Sequence, residues 1–196
     1  MDDIRDMESD ATDAELLLRS VLEPAVFGEV YERHGVAVRR YVVSRIGSTN
    51  GEDLAAEVFI RAFRGREACR AESGALPWLL GVANHVISDH RRIEKRRLAA
   101  LERLFSDRRE PAATPDDGLT SEMIRALRRL PATDRDTLLL LVWGELSRDE
   151  VASALGVPVG TVDSRLSRAR KRLAADLERL RQRPHRDLQV NGEGNV

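Results

Sequence analysis

Hydrophobic positions recur at helical spacing along most of the chain, and the pattern becomes firm after Pro24. The apolar residues that follow fit amphipathic helices, which we expect to break at Gly35 and Gly47. The run Gly-Ser-Thr-Asn-Gly at 47–51 predicts a loop, because glycine and small polar residues favour turns. The next helix is predicted over 52–64, with leucine, valine and phenylalanine facing inward.

A longer helix is predicted to open at Pro77, where the missing N–H of proline is tolerated. Its front half is apolar along one side, whereas its back half, 90–97, is dense in arginine. From 105 to 118 the periodicity gives way to proline, alanine, aspartate and serine, which is typical of a linker. Fully extended, such a segment reaches about 45 Å.

Helical patterning resumes over 119–130 and stops before a proline. Thr133 or Asp134 is then expected to cap a strongly apolar helix around 137–143, which Gly144 closes. The pattern as a whole predicts an all-α protein of two small helical domains joined by a flexible linker.

The stretch 147–173 reads as two short helices joined by a tight turn. The first helix has an apolar face and is followed at once by Gly156, a residue suited to the left-handed conformation at a helix end. Pro158 suits the opening of the second helix. The second domain is therefore predicted to end in a helix-turn-helix.

The second helix of this pair buries one stripe and presents a basic face. Val162, Leu166, Ala169 and Leu173 recur at the spacing of a buried stripe. The opposite face combines small side chains, which let the backbone approach DNA, with basic ones, which contact guanine edges or phosphates. A solvated basic hairpin would be the structural alternative, but the turn chemistry and the basic face together favour DNA binding.

Composition changes this picture in one respect, the distribution of charge. The 196 residues carry a formal net charge of −1. However, residues 1–15 hold seven acids against one arginine, whereas 165–186 hold nine bases against two acids. An acidic N-terminal segment and a basic C-terminal segment are expected of a protein that binds nucleic acid.

The residue types in the chain argue against a disulfide-bonded, a metal-binding and a membrane-spanning protein. The single cysteine, Cys69, rules out an internal disulfide and a multi-cysteine zinc site. His85 and His90 are five residues apart, which does not place two imidazoles on one helical face, so we expect no metal site and no cofactor. No apolar run reaches the roughly twenty residues of a membrane span, and the acidic N-terminus is unlike a signal peptide. We therefore expect a cytoplasmic protein.

The string GVPVGTVDSRLSRARKRL resembles, nearly letter for letter, the −35-reading helix-turn-helix of bacterial sigma factors. More narrowly, it resembles the extracytoplasmic-function group of the sigma-70 family. The resemblance implies core RNA polymerase and promoter DNA as partners, and an anti-sigma factor as a further one. The residues expected at the −35 element are Thr161, Asp163, Ser164, Arg165, Ser167, Arg168, Lys171 and Arg172.

The same resemblance implies a role for each of two earlier helices. GEDLAAEVFIRAFR is similar to the sigma helix that docks on the polymerase clamp, which implies that role for Asp53, Glu57 and Arg61. The arginine-rich helix after Pro77 is similar to the surface that binds and melts the −10 element. The family most often has asparagine where His85 stands, so which side chain contacts the flipped base stays open. The residues expected there are Trp78, Asn84, His85, Asp89, Arg91, Arg92 and Arg96.

These observations predict five segments. Residues 1–20 form an acidic, disordered N-terminus, 21–103 a domain similar to sigma region 2, and 104–118 the linker. Residues 119–183 form a domain similar to sigma region 4, and 184–196 a disordered tail. No catalytic constellation is present in the sequence, so the chain is not expected to be an enzyme. The alternative is a free-standing helix-turn-helix regulator of the response-regulator type, which leaves the helices at 52 and 77 unexplained.

Overall fold

The computed structural model describes residues 11–69, 74–104 and 121–181, and every α-helix or 3-10 helix named below lies in those ranges. The all-α prediction is confirmed for the described residues. The predicted linker lies outside the described residues except for Leu104, and the predicted C-terminal tail lies entirely outside them. The helices are α1 (Asp13–Leu22), α2 (Phe27–Ile46), α3 (Ser48–Gly65), α4 (Ala75–Leu104), α5 (Ser121–Arg129), α6 (Ala132–Val142), α7 (Arg148–Leu155) and α8 (Val159–Arg181).

Helices α1 to α4 form the first unit, in which α2, α3 and α4 pack against one another around an aliphatic core. Val38, Val58 and Leu79 are fully buried representatives of the three helices. Two ring pairs pack edge to face at the outer side of this core, Phe27 with Phe63 and Tyr31 with Phe59.

The N-terminal helix is more ordered than the sequence suggested. Thr12 and Glu15 form a reciprocal capping box at its start, and Leu16 is fully buried. The Asp13 carboxylate contacts His34 Nε2 at 2.7 Å and accepts a hydrogen bond from the Ala75 N–H at 3.1 Å. The expected disorder up to residue 20 is therefore wrong from Asp13 onward, because this carboxylate and the leucine side chain attach the helix to α2 and α4.

Two glycines do not break structure where we expected. Helix α2 runs through Gly35 to Ile46, and the expected loop at 47–51 shrinks to Gly47, whose φ is 89°. Helix α3 begins at once with Ser48. Gly51 is needed here for close packing, since an added Cβ would lie 2.8 Å from the Val43 side chain. Burial between helices thus outweighs the helix-breaking tendency of glycine.

Helices α5 to α8 form the second unit. Helix α6 begins at Ala132, with Pro131 at the N-cap position, so neither Thr133 nor Asp134 caps it. Asp134 instead lies in the first turn and is buried. The helix ends at Val142, two residues before Gly144, close to the predicted end.

The two units dock against each other. Helix α7 of the second unit packs on α4 of the first. Buried residues from both units, such as Leu80 and Val151, belong to one continuous hydrophobic cluster. The backbones of the two units approach closely at Gly81, where an added Cβ would lie 2.5 Å from the Ala154 carbonyl oxygen.

Cys69 follows the short 3-10 turn after α3, and its side chain is half-buried. Burial raises the pKa of its thiol to about 11. Among the described helices, none is both long enough and apolar enough to cross a bilayer.

Candidate nucleic-acid and polymerase interfaces

The helix-turn-helix is built by local sequence signals. Ser147 and Glu150 form a capping box at the start of α7. Gly156 adopts the left-handed conformation, with φ 62° and ψ 38°, and ends that helix. The Pro158 carbonyl then accepts a hydrogen bond from the Thr161 N–H at 2.8 Å, which starts α8. Both helices and the turn lie as the sequence predicted.

Helix α8 buries one stripe and exposes the opposite face. Val162, Leu166 and Ala169 are buried, and Leu173 is half-buried. Thr161 and Arg165 are half-buried at the edge of the exposed face. The exposed side chains of the expected −35 set are Asp163, Ser164, Ser167, Arg168, Lys171 and Arg172.

A buried carboxylate that sequence reasoning missed holds two of these arginines. Asp134 Oδ1 accepts a hydrogen bond from Arg168 Nη2 at 3.1 Å, and its Oδ2 lies 4.0 Å from Arg172 Nη1. Both arginine side chains keep about half of their surface exposed, at 50% and 51%. Asp134 thus orients Arg168 and leaves one edge of its guanidinium open to solvent.

Asp163 has an ion-pair partner outside its own helix. Its Oδ1 lies 3.1 Å from Arg148 Nη1, at the start of α7. On α8 alone its i+4 neighbour is Ser167, which is why the sequence indicated no partner. Both side chains remain about half exposed, so the pair lies at the rim of the −35 face.

The expected polymerase-docking residues lie on the outer side of α3. Asp53 is exposed, and Glu57 Oε1 accepts a hydrogen bond from Arg61 Nε at 2.8 Å. Arg61 also donates to Asp89 Oδ2 on α4 at 2.9 Å, and Asp89 in turn pairs with Arg92 at 3.2 Å. The Arg61 guanidinium beside it holds the pKa of Asp89 below its ordinary value. One ion-pair chain therefore joins the expected docking face to the expected −10 face.

The expected −10 residues divide into covered and open positions. Trp78 is half-buried, and Asn84 is only 9% exposed. His85 is exposed, with Nδ1 2.9 Å from the Gly81 carbonyl oxygen one turn earlier. Asn84 is therefore packed inside the protein in this arrangement, whereas His85 faces outward.

The arginines of α4 divide in the same way. Arg92 and Arg96 are exposed. Arg91 is half-buried and donates from Nη2 to the Arg45 carbonyl at 3.1 Å. In the part of the chain that the structure describes, no group of three His, Cys, Asp or Glu side chains is arranged to hold a metal ion.

Two segments of the chain match family descriptions. Residues 30–97 match "Sigma-70 region 2" and residues 120–173 match "Sigma-70, region 4". The first match includes α3 and most of α4. The second includes the residues of α8 that form its exposed face.

Curated relatives agree with these matches. The chain is 36% identical to the ECF RNA polymerase sigma factor SigC of Mycobacterium tuberculosis over 141 residues, which cover 69% of this chain and 74% of that protein. It is 31% identical over 169 residues to SigM of the same organism, covering 83% of each chain. It is 30% identical over 154 residues to the sigma-E factor of Escherichia coli, covering 71% and 78% respectively.

Solved structures share the fold. CnrH, in a complex with the cytosolic domain of CnrY, superposes with a TM-score of 0.59 at 23% identity, covering 85% of this chain and 97% of that one. RpoE of Bartonella quintana, in a complex with the anti-sigma factor NepR, gives 0.60 at 22% identity, covering 79% and 98%. With the two family regions and the curated relatives, the chain belongs to the extracytoplasmic-function group of the sigma-70 family and is a promoter-recognising RNA polymerase sigma factor.

Proposed function

We propose that this sigma factor divides promoter recognition among three helices. Helix α3 docks on core RNA polymerase through Asp53, Glu57 and Arg61, helix α4 captures the melted −10 strand, and helix α8 reads the −35 element. The chain lends sequence specificity and contributes no catalytic chemistry of its own, because nucleotidyl transfer belongs to the polymerase. It acts in the cytoplasm, where core polymerase and promoter DNA are found.

The observation that carries this proposal is the exposed face of α8. A helix that enters the major groove needs exposed side chains opposite its buried stripe. On α8 these include Ser164, Ser167 and Lys171. A free-standing regulator would also have such a face. It is not favoured, because residues 30–97 match sigma region 2, which a regulator of that type does not need.

An anti-sigma factor is the further partner that we propose. The RpoE relative was captured with an anti-sigma factor, and CnrH with the cytosolic domain of CnrY. The two-unit fold shared with these proteins supports a partner of the same kind for this chain.

Run-off transcription tests the proposed function. Purified chain, core polymerase and the DNA upstream of its own gene should give a defined transcript that core polymerase alone does not give. The matched control is the same DNA with its −35 element scrambled, which should lose the transcript. DNA binding by the free chain, without any polymerase-dependent transcript, would instead support the regulator.

We further propose that Asp163 tunes the choice of −35 sequence. A carboxylate near a base edge can accept a hydrogen bond from cytosine N4, whereas near phosphates it lowers affinity. Asp163→Arg should therefore strengthen binding to many sequences. It should also weaken the preference for one base at one −35 position, by about 1–3 kcal/mol. Selection from a randomised −35 library measures this.

Arg148 supplies the control for that experiment. Arg148→Ala removes the 3.1 Å ion pair but leaves the carboxylate in place, so the preference at that position should persist. If Asp163→Arg selects the same sequence as the unaltered chain, Asp163 does not read DNA, and the ion pair with Arg148 remains as its role.

A further inference from the structure

Asp134 is a buried carboxylate whose hydrogen-bond partner lies on the −35 face. It stands in the first turn of α6, and its side chain is 3% exposed. Arg168 of α8 donates to it from two atoms, Nε to Oδ2 at 3.4 Å and Nη2 to Oδ1 at 3.1 Å. Because a buried carboxylate without a partner is costly, the guanidinium is held with its Nε–Nη2 edge toward Asp134.

The other edge of the Arg168 guanidinium remains available. An arginine carries its N–H donors in a planar fork, and Asp134 engages only the donors on the Nε–Nη2 side. Among the described residues, no acceptor is hydrogen-bonded to Nη1 of Arg168. The Nη1–Nη2 edge can therefore donate two parallel hydrogen bonds, which is the pattern that pairs with O6 and N7 of a guanine in the major groove.

Arg172 is placed differently. Its Nη1 lies 4.0 Å from Asp134 Oδ2, which is too far for a hydrogen bond. At about 100° per residue, Arg168 lies nearer the centre of the exposed face of α8, and Arg172 lies nearer its rim. Ser164, one turn before Arg168, is small, and its hydroxyl donates to the Thr161 carbonyl at 2.9 Å. A base edge can therefore approach beside Arg168.

We propose that Asp134 is a positioning residue that makes Arg168 a guanine reader at one position of the −35 element, whereas Arg172 contacts a phosphate. A side chain already held in the binding conformation loses less freedom when it binds, and a fixed fork rejects a base that lacks the two acceptors. The inference rests on the proposed role of α8 and deepens it, because it names the base and the carboxylate that sets the choice.

Replacing each arginine with glutamine separates the two roles. Holoenzyme of the full chain and core polymerase is used to select from the DNA upstream of its own gene with the −35 element randomised. The unaltered holoenzyme should select guanine at one position. Arg168→Gln should lower that preference about 10- to 100-fold, because glutamine pairs with adenine instead. Arg172→Gln should keep the preference and weaken binding to all promoters alike, with the salt slope reduced by about one.

Asp134→Asn tests the positioning itself. It keeps the size of the side chain and removes the charge that holds Arg168. The preference for guanine over another base at that position should fall about three- to tenfold. Affinity for promoters that carry the other base should stay or rise, because a negative charge near DNA is removed. If the pair only joined α6 to α8, the substitution would weaken both promoters alike. Direct competition between the two promoters measures the ratio.

Asp176→Asn is the matched control. Asp176 is also a partly buried aspartate of the second unit, with a side chain 15% exposed, and it pairs with Arg129 and Arg179. The change in total charge is the same as in Asp134→Asn. Neither the guanine preference nor the affinity for other promoters should change.

Asp134→Glu separates the position of the carboxylate from its charge. It retains the charge but carries the carboxylate one methylene further, so the guanidinium is displaced and the guanine preference should again fall. This variant also serves if Asp134→Asn does not fold, which helical circular dichroism and thermal unfolding would show. In the Arg168→Gln background, Asp134→Asn should cause no further loss of preference, because Asp134 acts through that arginine.

A modified base identifies the atoms that are read. 7-Deazaguanine lacks the N7 acceptor and still pairs with cytosine. At the selected position it should weaken binding of the unaltered holoenzyme about five- to tenfold, and it should leave binding of the Arg168→Gln holoenzyme unchanged.

Several results would overturn the inference. These are guanine preference retained in both Asp134→Asn and Asp134→Glu, equal weakening of all promoters by both, guanine still selected by Arg168→Gln, and no guanine selected by the unaltered holoenzyme. Each of these leaves α8 as the reader of the −35 element. An unaltered holoenzyme that selects no −35 sequence at all would instead contradict the proposed function of α8, so the two failures are distinguished before any variant is compared.

Discussion

Replacing both Asp53 and Glu57 with arginine is expected to raise the Kd for core RNA polymerase about 100-fold. The family resemblance implies a basic polymerase surface opposite these acids, so reversal would place like charges against it. Like charges at an interface cost several kcal/mol, and about 3 kcal/mol corresponds to that factor. Both residues lie on the outer side of α3, one turn apart, and neither belongs to the buried core. Titration of labelled core polymerase at moderate salt gives the Kd directly.

A matched reversal separates docking from net charge. Glu23 and Glu32 are exposed acids of the same unit that lie outside α3, and reversing both makes the same change in total charge. That control should bind polymerase within about twofold of the unaltered chain, because exposed charges distant from a contact are screened by salt. Equal weakening by both double variants would mean that only long-range attraction was lost, and α3 would then have no special docking role.

Replacing Arg91 and Arg92 with alanine is expected to reduce open-complex formation by about 10- to 100-fold, with a smaller effect on closed-complex binding. The loss of one charge-assisted hydrogen bond to a strand costs about 1.5–3 kcal/mol, which corresponds to that factor, and such contacts form only after the strand leaves the duplex. Permanganate footprinting of unpaired thymines scores melting, and band-shift titration scores the closed complex.

The structure makes the two single variants informative. Arg92 is exposed and held by Asp89, whereas Arg91 is tied to the Arg45 carbonyl at the unit interface. Arg92→Ala should affect melting alone. Arg91→Ala should in addition remove the hydrogen bond that joins α4 to α2 within the first unit. Arg19→Ala, which removes an exposed arginine of α1, is the control. An equal loss at both steps for Arg92→Ala would mean that it supplies only general phosphate attraction.

The parts of the fold that the sequence predicted depend on local rules. Gly156 and Pro158 fix the turn between α7 and α8, because each has backbone requirements that no distant residue changes. The buried stripe of α8 follows from spacing along one helix. Glycines predicted a loop wrongly where packing against a neighbouring helix determined the structure. Gly51 is an example, because it approaches Val43 too closely for any side chain.

Long-range charge pairing could not be predicted. Arg45 stands on the stripe that carries Val38, Tyr41 and Val42, and a charge in such a stripe indicates a buried partner without naming it. That partner, Asp136, is 91 residues away. Asp134, which orients Arg168, is 34 residues from it and carries no spacing signal at all. The sequence therefore predicted which faces are used but not what holds their side chains.

The half-buried thiol of Cys69 has a practical consequence for chemical labelling. With a pKa of about 11, about one thiol in ten thousand is ionised at pH 7, and the thiolate is the form that attacks maleimides and disulfides. An introduced, exposed cysteine with an ordinary pKa would be ionised about three hundred times more often. Fluorophores can therefore be attached selectively to one introduced cysteine in each unit while the native residue is kept, so that energy transfer reports their separation in real time as polymerase and DNA are added.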